Sequence, residues 1–153
     1  MKYMTKEWYD VMQKSGRPPF PEELKRQVKM TVAAYYDEYK KNFPTPPKFM
    51  DTVGRLHDCE LISAELIGND FIIKTDLIEW GSDDYVKIIF KNAVLKKKDF
   101  GNQGLAWGYE ELYIAPKGYE LHVLLWEYGS DKLYELIVEC ENIEIKKIKN
   151  AEE

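Results

Sequence analysis

Before residue 57 the apolar positions recur every three or four residues, and after it they recur every two. The first spacing is that of an amphipathic helix and the second that of a half-buried strand. Residues 5–15 predict a short helix, with Thr5 as N-cap, Glu7 at the positive start, Gly16 as the stop, and Trp8, Val11 and Met12 on one face. Pro21-Glu22-Glu23 opens a longer helix, whose stripe is Leu24, Val28, Val32, Tyr35, Tyr36, Tyr39 and Phe43. Proline rings in Phe43-Pro44-Thr45-Pro46-Pro47 end it, and a half-turn of helix is expected near 48–54. Strands are predicted at 57–66, 71–79, 85–91, 94–98, 109–114, 119–127, 133–139 and 142–148. Most are separated by glycine-bearing turns such as Gly68-Asn69-Asp70 and Pro116-Lys117-Gly118. Val86, Ile88 and Phe90 alternate with Tyr85, Lys87 and Lys91, a pattern with one buried face that suits antiparallel pairing.

The strand region reads as one pattern written twice. Gly81-Ser82-Asp83 and Gly129-Ser130-Asp131 each precede an apolar run, an asparagine (Asn92, Asn142), a further strand and a lysine run. The units cover about 57–98 and 109–148. The expected architecture is therefore α+β. A helical segment, 1–47, packs on an antiparallel β domain, 48–153, folded as a sandwich or a strongly curved sheet. Eight strands in one flat sheet would expose too much apolar face.

Charge refines this picture. The chain carries 22 Lys+Arg against 27 Asp+Glu, yet the helical segment is net basic and the β domain strongly acidic. Opposite signs favour docking of the two parts. An acidic β domain argues against binding a nucleic-acid backbone. Two cysteines, Cys59 and Cys140, suit a reducing compartment, and the cytoplasm is expected. The opening residues do not read as a signal peptide, and no apolar run approaches membrane-spanning length.

Chemistry-bearing residues are scattered. His57-Asp58-Cys59-Glu60 brings histidine and thiol onto one strand face, where a Cys–His nucleophile would need them. The alternative is a histidine bonded to backbone at the strand entrance and a thiol packed as a small apolar group. Three or four ligands for zinc would have to come from His57, Cys59, His122 and Cys140, which lack close paired spacing. Glu110-Glu111 is an acidic doublet whose side chains point oppositely on a strand, so it reads as solvated sheet rather than a paired-carboxylate site. Lys96-Lys97-Lys98 and Lys146-Lys147 read as edge protection, or as a small anion site. The connection 99–108 carries Phe100, Leu105 and Trp107 among three glycines. It reads either as a binding element or as a flap closing over the sheet. Aromatic content of 14% without an assembled catalytic set favours a non-catalytic binding protein. Its candidate surface is Phe100, Trp80, Trp107, Trp126 and Glu110, with a protein partner and no cofactor or metal. The alternative is a small-molecule binder or hydrolase in a β-domain cavity, using His57, Cys59 and His122.

The opening Met1-Lys2-Tyr3-Met4-Thr5-Lys6-Glu7-Trp8-Tyr9, with His57-Asp58, resembles a family of bacterial proteins of unknown function found chiefly in Firmicutes. The resemblance implies an intracellular bacterial protein and brings no catalytic residues with it. The later pattern, His57-Asp58 leading a strand and then Phe90-Lys91-Asn92-Ala93-Val94, is similar to small immunity proteins of bacterial toxin systems. That likeness implies a protein–protein interaction module.

Overall fold

Helix α1 spans Lys6–Ser15, capped by the Thr5 hydroxyl, which accepts the Trp8 N–H at 3.2 Å. Helix α2 spans Glu22–Asn42 and a single turn, α3, spans Met50–Val53. The computed structural model describes residues 1–78, 81–101 and 104–149. Eight strands follow the helices: β1 (Glu60–Ile67), β2 (Asp70–Leu77), β3 (Ser82–Lys91), β4 (Val94–Lys98), β5 (Leu105–Ala115), β6 (Gly118–Glu127), β7 (Leu133–Cys140) and β8 (Asn142–Ile148). All eight form one antiparallel sheet in the order β4-β7-β6-β5-β1-β2-β3-β8.

Of the two architectures expected, the strongly curved sheet is the one observed. The sheet folds where β1 meets β5. There the ladder comprises only Glu60↔Ala106 and Leu61↔Leu105, flanked by Asp58 N–H to Trp107 C=O at 2.8 Å and Trp107 N–H to Cys59 C=O at 2.9 Å. Beyond it the halves face one another, so that β3 touches β7 and β6 touches β8 although neither pair shares a ladder. One core fills the space between them. Phe71, Ile73, Val86, Ile88 and Phe90 come from one half, and Leu121, Val123, Leu125, Leu136 and Val138 from the other, all 1% exposed or less.

Each half is completed by a strand from the other unit. The chain leaves β3 through Asn92, in the left-handed region at φ 48°, and β4 then pairs with β7. It leaves β7 through Glu141, and β8 then pairs with β3. The order of strands is unchanged when β1–β4 are exchanged for β5–β8. The two crossovers touch: Glu141 N–H donates to the Lys91 C=O at 2.9 Å, and the Asn92 side-chain amide donates to the Glu141 carboxylate at 2.8 Å. Gly118 passes this point with φ 154°, and a Cβ there would fall 2.4 Å from the Glu141 carbonyl oxygen. Only glycine fits.

The helices pack against the outer face of β5 and its neighbours. Met4, Trp8 and Tyr35 form a second cluster with Val28, Val32 and Tyr109, and Trp8 meets the Tyr109 ring edge-on at 4.9 Å. Where β5 has parted from β1, its outer edge needs another hydrogen-bond partner. The Tyr35 hydroxyl supplies one, accepting the Leu112 N–H at 3.0 Å. Phe43 and Phe49, near the end of α2 and at α3, pack on Tyr119.

Glu111 corrects the expectation of a solvated acidic doublet, being 0% exposed. Its carboxylate accepts backbone N–H groups from Lys2 (2.7 Å), Tyr3 (2.9 Å) and Met4, and the Tyr113 hydroxyl. Removing it would leave those buried donors unanswered. Glu111→Ala is expected to destabilise the fold by about 3 kcal/mol, against about 1 kcal/mol for Tyr35→Phe. Urea unfolding of the two variants measures both.

Candidate functional site

A bulge in β5 decides which side chains the strand presents. The register slips between Trp107 and Tyr109, because Gly108 lies too close to β6 for any side chain. A Cβ on Gly108 would sit 2.6 Å from the Leu124 carbonyl oxygen. The extra residue turns Trp107 and Glu110 to the same, inner face, although residues three apart on a regular strand point oppositely. Trp107 Nε1–H donates to the Glu110 carboxylate at 3.0 Å. Two residues of the sequence-derived surface are therefore brought together, Trp107 within the core and Glu110 half-buried beside it. Trp107 is 0% exposed and belongs to the core.

Phe100 also faces the core at 8% exposure, with the Lys98 ammonium 4.6 Å from its ring centroid. The described part of 99–108 is thus the flap of the sequence reading, and β5 begins within it at Leu105. An outward display of Phe100 and Trp107 is corrected, because both rings satisfy the apolar interior. Trp80 lies outside the described residues. Among the described members of the set, Trp126 reaches a surface cleft.

Burial lifts the Glu110 carboxyl from its ordinary value to about 7, against the opposing pull of the Trp107 N–H and of His57. A Cβ at Gly54 would lie 3.6 Å from its Oε1. The folded state holds this proton more tightly than the unfolded chain does. Stability from this group is therefore full below about pH 4.5 and is lost as pH rises through about 7. Glu110→Gln is expected to gain about 2–3 kcal/mol over the wild type at pH 8, and little below pH 4.5. Denaturant titrations at the two pH values test the sign.

The histidines and thiols do not assemble. His57 precedes β1 in a turn rather than on a strand, and its Nδ1 lies 2.6 Å from the Gly108 carbonyl oxygen. Its ring is beside Tyr109, whereas the His122 ring is beside Tyr113. Those tyrosines are four residues apart on β5, roughly 13 Å. His122 Nε2 contacts Glu120 Oε1 at 2.6 Å, and its Nδ1 is buried without a partner among the described residues. Burial acts to raise the Glu120 carboxyl, but Lys96 and His122 hold it below its ordinary range. Cys59 is 0% exposed and Cys140 2%, and burial pushes the Cys140 thiol up to about 12. No group of three or more potential metal ligands occurs among the described residues. Both thiols are expected to resist alkylation in the native state and to react only on unfolding, followed by mass spectrometry at neutral pH. Fast native labelling of Cys59 would contradict its placement.

What gathers at the surface is a cleft of about 510 Å³ between the C-terminal half of α1 and the sheet. Tyr9, Tyr109 and Trp126 give it aromatic walls, and His57, Asp58, Ser130 and Asp131 line the sheet side. The Tyr9 and Tyr109 ring centroids are 6.4 Å apart, and the Tyr109 hydroxyl meets the Met12 sulfur at 3.0 Å. Asp58 sits at φ 68°, a left-handed position that aspartate tolerates, and its carboxylate is 3.6 Å from His57 Nε2. Tyr9, Tyr109 and the turn residue Asp131 were missed as site residues. Gly129-Ser130-Asp131 signalled only a turn, and nothing local marks which turn a distant helix will approach. Volume, aromatic walls and a few polar groups are the usual attributes of a ligand site. Comparison of the chain with family models, with curated proteins and with solved structures returns no match. No helix is long and apolar enough to cross a membrane among the described residues.

Proposed function

We propose that this is a non-catalytic binding protein that recognises a protein partner at the cleft between α1 and the β6–β7 turn. One observation carries the reading: Trp126, Tyr9, Tyr109 and His57 converge on a surface cavity, while both thiols are buried in the core. Aromatic anchors beside polar groups are the typical energetic centre of an interface. The immunity-like character suggested by the sequence fits a protein of this kind, with a bacterial origin and a cytoplasmic setting suited to two thiols outside any disulfide. The acidic β domain favours a partner other than a nucleic acid. The unchanged strand order on exchange of the two units supports their descent from one duplicated unit.

A small-molecule binder is the second reading, favoured by the cleft's volume, which falls in the range of such sites. The alternative hydrolase finds little support, because the Cys59 thiol it required is sealed in the core while half of the His57 side chain is exposed.

Affinity capture from the native cell, with the wild type and Trp126→Ala compared against Lys87→Ala on the opposite half-sheet, tests the proposal. A protein retained by the wild type and Lys87→Ala but lost, about tenfold or more, from Trp126→Ala is the expected result. Equal retention by all three would remove the cleft from consideration.

A further inference from the structure

Resting on the cleft as the recognition site, we infer that it takes a dipolar peptide segment of the partner, one carrying a basic side chain beside an acidic one. The charges lining the cavity are unevenly distributed: both basic side chains lie on the α1 side and two acidic ones on the sheet side. The sheet side presents Asp58 and Asp131 next to the rings of Tyr109 and Trp126, with no lysine or arginine among them. The α1 side presents Lys14 and Arg17, with Asp10 one turn earlier. Carboxylates beside aromatic faces suit an ammonium or guanidinium group. A lysine and an arginine near a helix C-terminus suit a carboxylate.

These groups are also largely unspent. Some of the charge elsewhere is paired internally: Lys91 with Asp70, Lys96 with Glu120 and Glu139, Lys97 with Glu135, Lys2 with Glu38. In the cleft, neither Lys14 nor Arg17 is ion-paired among the described residues. Among the same residues Asp10 and Asp131 are not paired either, and Asp58 pairs with His57. An acidic sheet side facing Lys14 and Arg17, with aromatic rings between, matches a ligand that brings both signs. A purely basic or purely acidic segment would be repelled by one wall.

The test uses blocked dipeptides and the intact protein, followed by chemical shifts of the Trp126 indole and the Tyr109 amide. Acetyl-Arg-Glu-amide is expected to bind three- to fivefold tighter than acetyl-citrulline-Glu-amide and than acetyl-Arg-Gln-amide, the size of two exposed ion pairs. Asp58→Asn with Asp131→Asn should erase the arginine preference while leaving the glutamate preference. Lys14→Gln with Arg17→Gln should do the reverse. Asparagine keeps the left-handed backbone open at position 58, and the other three side chains are exposed. Amide spectra of each variant establish that it is folded. Equal affinity for all three peptides, with cleft resonances moving, would overturn the dipolar assignment and leave the cleft reading standing. Absence of cleft shifts at tens of millimolar, with any peptide, would overturn both.

Discussion

The two halves of the sheet are held face to face by the strands they exchange. β3 needs a partner on its outer edge and finds it in β8, while β7 finds its own in β4. Both connections pass through one small region, where Asn92, Lys91 and Glu141 hydrogen-bond across the crossing and Gly118 gives way. Because β1 and β5 share so short a ladder, these crossings and the common apolar core carry most of the burden of keeping the sheet bent. The candidate site is then arranged beside the bend. Parting of β1 from β5 opens an edge for Tyr35, and the bulge beside it directs Trp107 and Glu110 inward and Tyr109 outward.

Polar side chains appear here chiefly as fasteners of backbone. Glu111 grips three consecutive amides of the N-terminal segment, and Asp76, 7% exposed, accepts the Glu60 N–H at 2.8 Å. Asp70 accepts the Asn92 N–H at 3.1 Å and pairs with Lys91. A carboxylate with several donors is well suited to this task, since it replaces the water its backbone partners lost. The acidity of the β domain is thus partly architectural.

The fold was legible because its signals are local. Thr5, Gly16, the prolines at 44, 46 and 47, and the alternation along each strand stated their elements directly, and β4 and β8 occupy the residues forecast for them. Pro21 is an N-cap where a first helical residue was expected, a shift of one position. β5 starts four residues before its predicted beginning, because glycines at 104 and 108 look like a loop although 108 belongs to a bulged strand. The site was far less legible. Trp107 and Phe100 have the composition of a binding loop, and only tertiary packing turns them inward. Glu111 looked solvated because its covering comes from residues more than a hundred positions away. Asp131 and Tyr9 line one cleft for the same reason, and no periodicity within either segment reports it.

The interlaced strands have a topological consequence. If the peptide backbone were severed at Gly101, between the two units, the pieces would not be free to drift apart. Each would still hold the other's final strand within its own sheet, so the halves should behave as a complementing pair. A chain wired this way could be split into separately expressed fragments and reassembled by mixing.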